Sequence, residues 1–131
     1  MNIIEAMKGM KNFSSHEPAS KESISNAERQ LALRFSDEYK EYLCAFGHAN
    51  GDGHEFTGII DDQYTGVVNV TNEERGYNFL IPENLYVIEN LGINDIIIWQ
   101  HENGKIYRGQ RNFAPIKIHD SLVEYIISTK S

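Results

Sequence analysis

Residues 85–109 read LYVIENLGINDIIIWQHENGKIYRG, and this stretch decides the fold class. Leu85–Leu91 and Asp95–His101 are rich in β-branched and aromatic residues and are separated by the turn residues Gly92-Ile93-Asn94, which marks two adjacent strands. Asn103-Gly104 follows at once. Asn-Gly is the residue pair that suits a two-residue type I′ hairpin turn, where both central positions need positive φ. Glu102 and Lys105 flank it and are placed to pair across the strands. Ile106–Arg108 then returns, and Ile116–Ile118 adds a short further strand. Tight turns of this kind join antiparallel neighbours, and Trp99 is expected in the core.

Working outward, the flanks read as helices. Ile3, Ile4, Met7, Met10 and Phe13 fall on one helical face. Residues 14–23, Ser-rich with Pro18, read as a loop. Ser25-Asn26-Ala27-Glu28 has the form of a capping box, opening a helix with Ala27, Leu31, Ala32 and Phe35 on one face. A second helix starts at Ser36, with Asp37 and Glu38 in a first turn where acids favour the helix dipole. Tyr39, Tyr42, Leu43 and Phe46 follow at helical spacing, Gly47 is a C-terminal stop, and Cys44 is expected as a small buried hydrophobe. Beyond His48, Ala49–Gly53 is a turn cluster. His54–Ile60 and Tyr64–Val70 read as short strands around Asp61-Asp62-Gln63. Thr71-Asn72-Glu73-Glu74 is a second capping box, opening a short helical turn that Gly76 ends. At the other end, Asp120 or Ser121 caps a last helix, with Leu122, Tyr125, Ile126 and Thr129 on one face. Segregated helices and hairpins define an α+β class: a single domain over 1–131, with a mainly antiparallel central sheet flanked by two N-terminal helices and a C-terminal helix. No βαβ series, internal repeat or linker appears.

The 131 residues, 40% hydrophobic and 24% charged, make an ordinary globular composition. A chain of this size buries roughly two thirds of its unfolded surface and needs no disulfide or structural metal. Cys44 is the only cysteine, which excludes an internal disulfide and fits a reducing compartment. No signal-like or membrane-spanning run is present, so a cytoplasmic location is expected and the sequons at Asn12 and Asn69 carry no meaning. The formal charge of −7 argues against nucleic-acid or anionic-membrane partners. Its distribution is uneven: residues 48–74 hold six acids and no Lys or Arg, whereas residues 105–131 net +3.

That acidic stretch supplies the candidate site. Asp52, Glu55, Asp61, Asp62, Glu73 and Glu74 would form a surface for a basic protein partner, with Tyr64 as an aromatic anchor; the plainer reading is a solvated face that keeps the chain soluble. His48, Asp52 and His54 lie close enough in sequence to suggest a metal site, but neither HExxH nor cysteine pairs accompany them, so no metal and no cofactor is expected. Asp61-Asp62 would serve a hydrolase using carboxylates, but adjacent acids in a turn are common. No Gly-x-Ser-x-Gly or phosphate-binding loop occurs, and Cys44 carries no sign of thiolate activation, so no enzyme is expected. Lys105, Arg108, Arg111 and Lys117, interleaved with Tyr107 and Phe113, read as a solvated edge that discourages sheet-to-sheet pairing.

Several of these residues also carry a family resemblance. Ile24, Ala27, Glu28, Leu31 and Leu33, then Tyr39-Lys40-Glu41-Tyr42-Leu43, then Asn50-Gly51-Asp52-Gly53 and Gly58 resemble the SUKH superfamily, whose members include the yeast cell-wall-assembly regulator and many bacterial immunity proteins. Thr71-Asn72-Glu73-Glu74-Arg75 looks like the family's central helix, and Val87–Asp95 like the strand-turn-strand after it. The resemblance covers roughly residues 24–127. The chain has Phe35-Ser36 where members usually carry Leu-Pro, and Gly51 and Gly53 where they carry paired glycines. The resemblance implies a binding protein: either an intracellular immunity protein that occludes a cognate toxin, commonly a nuclease, or a regulatory and scaffold module with a cellular partner. It supplies no list of contact residues.

Overall fold

The computed structural model describes residues 1–129. Its centre is an antiparallel meander of β4 (Leu85–Asn90), β5 (Ile96–His101), β6 (Ile106–Gln110) and β7 (Ile116–His119), in that spatial order. β4 and β5 are buried along almost their whole length because the sheet is covered on both faces there, whereas β7 is largely exposed. Tyr86, Ile88, Ile96, Ile98 and Ile106 join a core with α1 (Ile3–Lys8), α2 (Lys21–Leu31), α3 (Asp37–Phe46) and α5 (Leu122–Thr129). Leu85, Val87, Ile97 and Trp99 pack with Val70 of α4 (Val67–Tyr77) on the other face. Side-chain alternation along a strand divides the two sets, and coverage of both faces accounts for the unbroken apolar run Ile96–Trp99.

The α+β class and the antiparallel sheet stand as read, with two additions. The first is a separate three-stranded sheet, in the order β1 (Ser14–Ser15), β2 (Ala49–Gly51), β3 (His54–Glu55). Residues 14–15 were expected in a loop. The second is α4, which occupies residues expected as the strand Tyr64–Val70 and as a short turn. Thr71 is therefore mid-helix, not a cap, and its hydroxyl accepts from the Val87 N–H at 3.0 Å. The helix has no side-chain cap at Gly66. The chain before it is set by Asp62, whose carboxylate accepts from the N–H groups of Tyr64 (2.8 Å) and Thr65 (3.0 Å).

Other local expectations shift by less. α2 starts five residues early, capped by Ser20, whose hydroxyl accepts from Ser23 N–H at 3.1 Å; the earlier start buries Ile24. The Ser25 box is not formed, and Glu28 instead accepts from Phe35 N–H at 2.8 Å. Ser36 caps α3 as read, accepting from Tyr39 N–H at 3.1 Å, and Gly47 ends that helix at φ 68°. Cys44 is exposed, contrary to expectation. The hairpin after β5 is not type I′: Gly104 alone has positive φ (95°), and it donates to His101 O at 2.8 Å while His101 N–H bonds Lys105 O at 2.9 Å. This is a type I turn closed by a left-handed glycine. It puts Glu102 in the turn, not opposite Lys105.

Ser121 caps α5, accepting from Glu124 N–H at 3.1 Å. The same helix start is held from a distance by Glu38, whose carboxylate accepts from the N–H groups of Leu122 (2.7 Å) and Val123 (3.0 Å) and from Gln100 Nε2 (3.0 Å). The acid expected to serve the α3 dipole thus also satisfies the first turn of a helix 84 residues away.

Candidate partner-binding groove

The site is built at the outer edge of β4. Two residues of β4, Ile88 and Glu89, oppose Ile98 across a bulge, which frees backbone groups there. Thr57 meets two of them: its N–H donates to Ile88 O at 2.8 Å and its hydroxyl to Val87 O at 2.7 Å. Tyr42 Oη in turn donates to Thr57 O at 2.7 Å. The segment 55–65 is thereby laid along β4, and α4 is docked beside it. Gly58 is required here, because a Cβ would collide with the carbonyl oxygen of Gly47.

Between this segment, α4 and the start of the 90–95 turn lies a groove of about 500 Å³ that brings together Glu55, Tyr64, Glu73, Glu74, Asn90 and Arg111. Glu74 is almost wholly buried, 3% exposed, and takes a two-pronged ion pair from Arg111, with Nη2 at 2.9 Å and Nε at 3.2 Å. Hydrogen bonding to Glu74 raises the Arg111 pKa above its ordinary value. Arg111 also faces Asp95 at 3.4 Å and stacks over the Tyr77 ring at 4.0 Å. With Glu74 and Arg111 neutralising each other, the groove is left with the net negative charge of Glu55 and Glu73. Tyr64, 74% exposed, stands at its rim.

The seven residues read from the sequence are therefore divided. Glu55, Tyr64, Glu73 and Glu74 meet at one groove, with Glu74 committed to an ion pair and not offered to solvent. Asp61 lines a different groove, between α2 and α4, and accepts from Asn69 Nδ2 at 3.2 Å. Asp62 is turned to its own loop; the Tyr64 N–H, followed by Thr65, holds its pKa below the ordinary value. Asp52 sits in the tight β2–β3 turn at φ 53°. Arg111, from the basic cluster, joins the acids instead of an edge, while Lys117 pairs with Asp120.

The histidines also part company. His48 lies against His16 with ring centroids 4.7 Å apart, and both its ring nitrogens are buried with no hydrogen-bond partner among the described residues. Desolvation, then His16, lowers its pKa. His54 Nδ1 instead meets both oxygens of the buried Glu89, at 2.9 and 3.0 Å, and Tyr125 Oη donates to the same carboxylate. Nothing in the local sequence marks this Glu89–His54–Tyr125 cluster, whose members lie 35 and 36 residues apart. Among the described residues no group of three or more His, Cys, Asp or Glu is arranged to hold a metal ion, and no helix is long and apolar enough to cross a membrane.

The chain is thus an α+β domain whose covered antiparallel sheet carries an acidic groove beside β4. A family model described as SUKH_5, SMI1-KNR4 cell-wall, matches residues 1–127, and the chain belongs to this family. No curated protein matches the sequence.

Proposed function

We propose that the chain is an intracellular immunity protein that binds a cognate bacterial toxin and neutralises it by covering the toxin's working surface, with no turnover of its own. The observation that carries this reading is the groove, where Glu55 and Glu73 from separate segments flank an exposed tyrosine and form no ion pair among the described residues. A nuclease is the toxin whose chemistry fits, because a site that holds phosphate is basic and an acidic surface fills it. Unpaired acids also speed encounter with a basic partner. A regulatory module with a cellular partner is the second reading, favoured by the cell-wall description of the matching family.

The test is to purify the tagged protein from its native cells at low and high salt, identify a stoichiometric partner, and express that partner with and without this chain. Toxicity suppressed by the wild type supports immunity. The Glu55→Lys/Glu73→Lys variant should associate roughly tenfold more slowly and with a flatter salt dependence. A harmless housekeeping partner overturns the immunity reading in favour of the regulatory one.

A further inference from the structure

Four large apolar side chains stand exposed beside the groove, at the end of α4 and on the two loops that meet there: Tyr77 (50%), Phe79 (93%), Leu80 (55%) and Phe113 (62%). Their summed exposed surface is on the order of 500 Å². The loops are not free to rearrange around it. Asn78, 5% exposed, donates through Nδ2 to Phe113 O at 2.9 Å and Gln110 O at 3.3 Å, and its Oδ1 accepts from Leu80 N–H at 3.0 Å. A buried amide thus pins one loop to the other and fixes the backbone from which the aromatic side chains project. The platform is also continuous with the groove, since Tyr77 Oη lies 3.4 Å from Glu73 and its ring carries the guanidinium of Arg111.

We propose that this platform is the anchor site for a protein partner whose contact surface sets an aromatic or branched aliphatic side chain beside lysines or arginines. The apolar side chain seats on Phe79, Phe113 and Tyr77, and the cations reach Glu73 and Glu55. Charge chooses between occupants. An acidic border repels a nucleic acid, and the −7 charge of the chain disfavours a second copy. Aromatics at the centre with charges at the rim are also how binding energy is distributed in protein interfaces. The inference rests on reading the groove as a partner site, but not on what the partner does.

Random peptides displayed on phage and selected against the immobilised protein test it. The enriched sequences should share an apolar residue flanked by Lys or Arg. Phe79→Ser or Phe113→Ser should weaken their binding by roughly 30-fold, the loss of one dominant contact, and Glu55→Gln/Glu73→Gln should remove its salt dependence. Both aromatic side chains are exposed, so circular dichroism of the variants should be unchanged. Peptides without that consensus, or bound equally by Phe79→Ser, overturn the proposal. So does sedimentation that shows a wild-type dimer dissolved by Phe79→Ser, which would assign the platform to a second copy. Failure of toxin rescue with the peptide result intact overturns the immunity reading alone.

Discussion

Glu89 is 2% exposed, and its partners come from β3 and α5. A carboxylate taken out of water is tolerated only where hydrogen bonds and an opposite charge compensate. The hydrogen bond to Glu89 is the main cause raising the His54 pKa; burial opposes it, and Glu89 and Asp52 add to it by charge. A histidine whose folded pKa lies above the unfolded value near 6.5 contributes stability that is complete below that unfolded value and is lost as pH rises through the folded one. His48, lowered by desolvation, acts in the opposite sense, so the informative quantity is a difference. Urea unfolding between about pH 5 and pH 9 should show the stability gap between wild type and Glu89→Gln narrowing as pH rises. A gap that widens with pH would remove the His54–Glu89 pair as its source.

The β5–β6 hairpin turns on a single glycine. At φ 95° Gly104 sits where an L side chain is strained, and Gly104→Ala should cost about 1–2 kcal/mol. Asn103 has no positive φ, and its Oδ1 accepts from Lys105 N–H at 3.0 Å; Asn103→Ala should cost about half as much. Equal costs in thermal unfolding would restore the type I′ reading. The strands around this turn were legible because alternation and turn residues act locally, as did the Ser36 cap and Gly47 stop of α3. α4 was not. Its inward positions do recur at helical spacing, but they are Val67, Val70, Thr71 and Glu74, and the last two look like surface residues until Val87 and Arg111 supply their partners. The Val-rich start with no side-chain cap then reads as a strand. The groove was half legible for the same reason: Glu55, Tyr64 and Glu73 belong to the acidic stretch, but Arg111 and the platform come from segments that only the tertiary fold brings to it.

Across the whole molecule, polar side chains tie together elements that the apolar core alone would leave free to slide. Gln100, fully buried, receives Tyr86 Oη at 2.8 Å and donates to Glu38 and to Gly104 O at 2.9 Å, so sheet, α3, hairpin and α5 share one network. The groove and platform lie on the α4 side of the sheet, whereas this network lies on the side of α3 and α5. Groove and structural frame are thus separated by the sheet itself, and changes at Phe79 or Glu73 should leave the frame intact.

That two-sided cover has a consequence for time as well as shape. The amides of Ile97, Ile98 and Trp99 are bracketed by β4 and β6 and roofed on both faces, so no local breathing motion carries solvent to them. Their protons should exchange with deuterium only when the entire domain opens, reporting the global free energy of unfolding. The two- and three-residue strands β1, β2 and β3 should exchange earlier. Uniform protection across both sheets would mean instead that the small sheet, and the groove wall that follows it, open only with the core.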